Sequence, residues 1–274
     1  MPSELALHRA PRELRDRRQA QLPGVAAPVA LAAGLSPSRE RARRRFVLAV
    51  LAVYVLVIFE GALRKYVAPQ LGQYIFFVRD PFVIYALAVA AAHGLWPRRN
   101  HAFLTLSLLM CALGVLLFAV QCVTFGLDTT RLILGVYGWR AYFLYVPLAL
   151  LIGTNFTAKD LTRFARLTLL LALPIAGLVF MQFFSSPTAA INVGVAEERE
   201  LQFDSVGVTI DRIRTTGPFT STQGQSQFTT LSMVFVMAAA LAAKRSIGIP
   251  LLLASGVATL TCLALSNSRG TMLA

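Results

Sequence analysis

Charge is scarce in this chain of 274 residues: Asp, Glu, Lys and Arg together make up 14% of it, against about 25% in an ordinary soluble domain. Cysteine is scarcer still. Cys111, Cys122 and Cys262 all lie within apolar runs, which excludes a disulfide scaffold. Cys111 and Cys122 would stand about 16 Å apart along a shared helix, too far to bridge. No Cys-x-x-Cys or Cys/His cluster occurs, and His8, His93 and His101 are isolated. No metal and no cofactor is therefore expected. No internal repeat and no nucleic-acid recognition motif accompanies the arginines, so no nucleic-acid partner is expected despite a net charge of +13.

What the chain has in quantity is apolar residues, at 56% and a mean hydropathy of +0.64. That excess excludes a disordered chain and an ordinary cytosolic enzyme. The apolar residues fall in blocks of about 20, the length that crosses a bilayer as a helix. Seven spans are predicted, at 46–63, 81–95, 102–125, within 131–157, 164–184, 228–243 and 247–267, with a further apolar run starting near the last residues. The predicted fold is an all-α, polytopic integral membrane protein of about seven transmembrane helices plus the start of an eighth. Residues 1–45 read as a basic, mostly disordered tail, and 46–274 as an incomplete membrane domain. Its polar loop at about 185–227 would be periplasmic. Pro174 predicts a kink in the fifth span.

The basic residues set an orientation. The tail alone holds ten arginines against Glu4, Glu13, Asp16 and Glu40. With the N-terminus inside, that tail and Arg98, Arg99, Lys159, Arg163, Arg166, Lys244 and Arg245 carry 17 of the 26 basic side chains, as the positive-inside rule requires. The tail would also touch anionic membrane lipids. Asn155-Phe156-Thr157 reads as a glycosylation sequon but would face the cytoplasm, so it carries no weight.

The basic residues on the other side are more informative. Arg131 and Arg199 suit snorkelling to lipid phosphates. Arg140, in "LGVYGWRAYFLYVPLALLIG", would lie about 13 Å deep if a helix began at Arg131, which is costly unless the charge is paired or lines a polar cavity. Gly135 and Gly138 favour a span beginning near Arg140 instead. Arg212 and Arg214 fall in the alternating stretch "VGVTIDRIRTTGPF". In an extended strand they would point the same way, roughly 7 Å apart. Two guanidiniums so placed suit a polyanion, each able to take a phosphate bidentately; salt bridges to Glu197, Glu198 or Glu200 are the structural alternative. Gly217-Pro218 and the polar run after it could approach a ligand through their backbone. Arg64-Lys65 follow Glu60, where i, i+4 pairing gives a local explanation. Arg79-Asp80 precede Pro81, and Arg269 sits in a polar turn, "LALSNSRGTMLA".

At these residues the sequence resembles the O-antigen ligase and O-antigen polymerase superfamily of bacterial envelope glycosyltransferases. The resemblance rests on "FEGALRKYVAPQLGQYIFFVRDP" at 59–81, "GWRAYFLYVPLALLIG" at 138–153, "RIRTTGPFTSTQGQSQF" at 212–228 and the final Ser-Arg-Gly turn, and spans residues 46–274. It implies a multi-pass protein of the bacterial inner membrane with a cytoplasmic N-terminus. Such a protein binds undecaprenyl-diphosphate-linked glycan at the periplasmic face. It transfers that glycan to a lipid A core or polysaccharide acceptor in surface polysaccharide biosynthesis.

By that resemblance Arg269 matches the Ser-Arg-Gly arginine and Arg214 the arginine before the Thr-Gly turn; Arg212, Arg140, Arg79 and Arg64 join them as candidate substrate-binding residues. The arginines would neutralise the diphosphate leaving group, and a base would activate the acceptor hydroxyl. The resemblance places that base, a histidine, in a later periplasmic loop absent from this sequence. The chain is thus expected to be a piece of a longer protein, inactive as a transferase by itself. Two other classes compete. A transporter or channel would place polar groups at the midplane on broken helices, and a noncatalytic component of an envelope complex would need none of this chemistry.

Overall fold

The computed structural model describes residues 36–75, 77–97, 101–126, 128–192, 214–242 and 247–266. Among these residues the regular elements are all helices, with no strand. Helix α1 runs from Pro37–Ala62. Pro37 stands at the first helical position, where its missing N–H costs nothing, and Glu40 in the first turn faces the positive end of the helix dipole. The helix thus begins inside the arginine tail rather than near Phe46. It closes in a π-helical turn, Leu63–Val67, in which Ala68 N–H reaches back to the Leu63 carbonyl at 2.9 Å. A 3₁₀ turn, Pro69–Leu71, and a single helical turn, Gly72–Ile75, carry the chain to α2, Asp80–Ala92.

Next come α3, His101–Phe125, and α4, Thr129–Phe143. Leu144 separates α4 from α5, Tyr145–Asn155. The break in the fourth hydrophobic block therefore falls four residues past Arg140, and Arg140 itself is helical. Helix α6, Ala158–Phe184, continues without interruption through Pro174. It is followed by α7, Thr222–Leu241, and α8, Ile249–Ser266. The segment 193–213, which holds Arg199, Arg212 and most of the alternating stretch, lies outside the described residues, as do Arg269, its turn and the start of an eighth span.

Where the sequence predicts seven spans, four helical stretches among the described residues are long and apolar enough to cross a membrane: Pro37–Val67, Thr105–Thr124, Gly135–Asn155 and Ala158–Phe184. The remaining candidates differ for physical reasons. Helix α2 has 13 residues and so measures about 20 Å, short of the roughly 30 Å hydrocarbon layer. Helix α7 spends its first two turns on Thr222-Gln223-Gly224-Gln225-Ser226-Gln227, which dilutes its apolar length. Apolar helix Ile249–Leu265 is also below the spanning length.

On α7 and α8 the packing is inverted relative to a water-soluble bundle. On α7 the fully buried stripe is Gln225, Thr229 and Ser232, while Val234, Met237 and Leu241 face outward. On α8 Ser255, Thr259 and Cys262 are buried while Leu253, Val257 and Leu260 are exposed. These stripes follow i, i+4, i+7 spacing, one face of a helix. Small and weakly polar residues let helix backbones approach in lipid, where burial of large apolar groups brings no gain. Among the described residues three apolar clusters complete the interior: Phe46, Val50 and Val53 of α1 meet Val83 and Ala86 of α2 and Leu151 of α5, Ile58 meets Ala172, Ile175 and Val179 of α6 with Phe219, Phe228 and Cys262, and Ala165 and Leu169 of α6 meet Ile247.

The helix ends gather in two groups. Around the start of α1, Arg39 donates to the Gly94 carbonyl after α2 at 2.7 Å. Arg43 forks onto Glu40 at 2.9 and 3.0 Å and reaches both Asp160 at the start of α6 and the Asn155 carbonyl at the end of α5. Around the end of α1 lie the start of α2, the Arg140 turn of α4, the end of α6 and the start of α7. Helices α1 and α2, α5 and α6, and α6 and α7 thus run in opposite directions, while α4 and α5 make one stretch, Gly135–Asn155, broken at Leu144.

Candidate functional site

The second group of helix ends holds the chemistry. The last two turns of α1 and its π-helical extension present Glu60, Arg64 and Lys65. An extended chain cannot run within apolar surroundings with its backbone polar groups unpaired, so α1 stays helical until the π turn releases it. Pro81 then starts α2 with Arg79 and Asp80 at its mouth, and α4 brings Arg140 to the same place.

Glu60 is buried and pairs with two arginines, Arg79 at 3.0 Å and Arg64 at 3.6 Å. Asp80 is buried and pairs with Arg140; its second oxygen accepts from Tyr145 Oη at 3.2 Å. The two ion-pair groups are joined through aromatic faces. The Arg79 guanidinium lies over the Tyr145 ring at 5.3 Å, and the Arg140 guanidinium over Phe77 at 4.6 Å and Tyr137 at 5.5 Å. Stacking of this kind suits arginine, whose guanidinium is planar and weakly hydrated. Among the described residues three guanidiniums therefore share two carboxylates, an excess of positive charge.

Lys65 adds another. It is 6% exposed. Its ammonium donates to Thr216 Oγ1 at 2.6 Å and to the Phe219 carbonyl, and among the described residues no carboxylate pairs with it. These acceptors belong to the segment before α7, which is held tightly. Gly217 takes φ +55°, a left-handed conformation open to glycine. Its N–H donates to Gln182 Oε1 at 2.8 Å and its carbonyl accepts from Gln182 Nε2 at 3.3 Å. Gly61 of α1 lies flat against the turn: a Cβ there would stand 2.7 Å from Phe219 C and 2.8 Å from Thr220 N, and closer still to the Pro218 carbonyl. The Gly217-Pro218 backbone thus approaches α1 at Gly61, where the sequence suggested a ligand.

Of the six arginines singled out from the sequence, Arg64, Arg79 and Arg140 come together here. Arg214 is exposed, immediately before Thr215, whose hydroxyl donates to the Leu265 carbonyl near the end of α8 at 3.4 Å. Arg212 and Arg269 lie outside the described residues, as do Glu197, Glu198 and Glu200, so the pairing of Arg212 with Arg214 along a strand is not described. Sequence reasoning passed over Asp80, the second role of Glu60, and Lys65 as a buried cation. The signal for the first two was present: an acid beside a misplaced arginine in an apolar chain needs a partner. Nothing local marks Lys65 off from Arg64, because its burial depends on a turn some 150 residues away.

No family model matches the chain, and neither a curated protein nor a solved structure matches it.

Proposed function

We propose that this chain is part of a membrane glycosyltransferase of the O-antigen ligase and polymerase kind, which holds undecaprenyl-diphosphate-linked glycan at the periplasmic face of a bacterial inner membrane. The observation that carries the reading is the charge balance at one end of the bundle. Among the described residues Arg64, Arg79 and Arg140 face two carboxylates, Glu60 and Asp80, and Lys65, next to Arg64 in the chain, is buried against neutral oxygens. A net positive cluster with little water around it attracts an anion far more strongly than the same charges would in bulk solvent. A diphosphate offers the charge and the oxygen geometry for arginine forks. The short motifs around Arg140, Arg214 and Arg269 add the resemblance to that family.

In this reading seven spans alternate from a cytoplasmic N-terminus. The paired arginines form the fixed floor of the site, and Arg214 and Arg269 supply the cations that close on the diphosphate. The acceptor is a lipid A core or a growing polysaccharide, and the arginines stabilise the diphosphate as the glycosyl bond breaks.

The test is binding of undecaprenyl diphosphate to the full chain in lipid nanodiscs. Affinity should fall with salt, as an electrostatic contact requires. Arg214→Ala and Arg269→Ala should each weaken it by roughly tenfold, the scale of one charge-assisted contact. Unchanged affinity in both variants would remove the diphosphate role.

A further inference from the structure

Burying an ammonium against neutral oxygens is an expensive way to fill space. A methionine of similar length would pack at Lys65 without desolvating a charge. The placement makes sense if the donors are needed, and both of those described go to one turn: Thr216 lies before the left-handed Gly217 and Phe219 after it. The same turn is gripped from the other side by Gln182 of α6. Tyr66, beside Lys65 on the π turn, extends the clasp. Its hydroxyl donates to the Ile191 carbonyl at 2.8 Å and accepts from Gln182 at 3.0 Å. Ile191 and Gly217 flank the polar loop on its two sides, so the π turn of α1 and one glutamine hold both ends of that loop together. Immediately beyond the held turn stands Arg214, exposed, with Thr215 fully buried between it and Thr216.

We infer that Lys65 is a positioning residue. It fixes the 215–219 turn to the end of α1 and so sets Arg214 in place relative to the Glu60, Arg79 and Arg140 cluster, making one anion site from two distant parts of the chain. The inference rests on the anion-binding reading above, and it adds a residue and a role to that reading. The π-helical geometry belongs to it. A π turn shifts the register of α1 by one residue, placing adjacent residues Lys65 and Tyr66 on the two ends of the loop.

Two measurements on the full chain in nanodiscs separate the possibilities. The first needs no ligand. A nitroxide is attached at position 214 through Arg214→Cys, in a background whose three native cysteines are replaced by alanine, and its mobility is read by electron paramagnetic resonance. Lys65→Met should sharpen the spectrum, and the milder Thr216→Val should do so partly, while helicity by circular dichroism stays unchanged. The second is undecaprenyl diphosphate binding in a double-mutant cycle. Lys65→Met should weaken binding about as much as Arg214→Ala, by roughly tenfold, and the double variant should be no weaker than either, since one acts through the other.

A label equally ordered with and without Lys65 overturns the inference, and so does full additivity in the cycle. If Lys65→Met unfolds the chain, Thr216→Val supplies both readouts in its place. Failure of the parent protein to bind the diphosphate counts against the proposed function, and the label still decides whether Lys65 holds the turn.

Discussion

At the scale of single residues, the buried charges among the described residues, Glu60, Lys65, Asp80, Arg140 and Asp160, each have a hydrogen-bond or ion-pair partner. Asp80 and Arg140 illustrate the stakes. Both side chains are buried, at 11% and 7% exposure, and truncating one would strand the other in an apolar interior. Arg140→Ala should therefore lower stability by about 3–5 kcal/mol, read as a fall in melting temperature in detergent micelles. Asp80→Ala combined with Arg140→Ala should recover part of that loss, because no lone charge remains. A double variant as unstable as the sum of the singles would show that Tyr145, Phe77 and Tyr137 dominate instead. Gly61 makes a second residue-scale argument. Its hydrogen is the one substituent that fits against the Pro218–Thr220 backbone, so Gly61→Ala should cost about 1–3 kcal/mol as an overpacking change. Gly138, whose Cβ would meet nothing within 4 Å, should accept alanine and gain up to about 1 kcal/mol from helix propensity. Equal effects at the two glycines would sink the close-approach argument.

Elements show where sequence reading works and where it stops. Hydrophobic blocks are sufficient to place α3 and α8 nearly to the residue, because both elements are uncharged along their apolar length and bounded by polar turns. They misjudged α1 and α7, whose ends are polar. The start of α1 is hidden by arginine-rich composition, although Pro37 and Glu40 are ordinary start signals; the start of α7 is hidden by a helical run of Thr, Gln and Ser in which Gln225 and Ser226 are buried. In both cases tertiary contacts, absent from a local reading, stabilise the extra turns. Those contacts at α1 are Arg39 to Gly94 and Arg43 to Asp160. The candidate site is legible in its cations and in the Glu60–Arg64 pair, whose i, i+4 spacing predicts the contact found at 3.6 Å, but nothing in the spacing shows that Glu60 also takes Arg79, that Asp80 takes Arg140, or that Gln182 and Lys65 grip the Gly217 turn.

Thr157 and Asp160 form a reciprocal capping box at the start of α6, Asp160 accepting from Thr157 N–H at 3.0 Å. Loss of the cap alone costs about 1 kcal/mol, which is the expected effect of Thr157→Val. Asp160→Ala also strips Arg43 of its carboxylate across the helix ends and should cost about twice as much. Chemical denaturation of the two variants side by side checks the ordering; equal losses would mean that Arg43 contributes nothing beyond the cap.

For the whole molecule, the inverted packing and the two groups of helix ends make one joint statement about its surroundings. Helices that bury Ser, Thr and Gln while exposing Leu, Val and Met on the outside are stable where the exterior is itself apolar. Four helical stretches among the described residues, Pro37–Val67, Thr105–Thr124, Gly135–Asn155 and Ala158–Phe184, are long and apolar enough to cross it. Within such a layer the two end groups must lie at opposite surfaces. Ser38 and Lys159 belong to the Arg39–Arg43–Asp160 end, and Tyr74 and Thr188 to the Glu60–Lys65–Gln182 end; all four side chains are exposed. Single cysteines at these positions, in a background free of native cysteine, should divide cleanly. If the proposed orientation holds, a membrane-impermeant maleimide should modify Tyr74→Cys and Thr188→Cys in intact cells, and should reach Ser38→Cys and Lys159→Cys after the membrane is permeabilised. That is the orientation given by basic residues that favour the cytoplasmic side. The reverse pattern would invert the orientation and move the charged cluster to the cytoplasm, away from any periplasmic glycan. Labelling of Ser38 and Thr188 from the same side would break the alternation of the helices itself, and with it the assembly of Arg64, Arg79, Arg140 and Arg214 at a common surface.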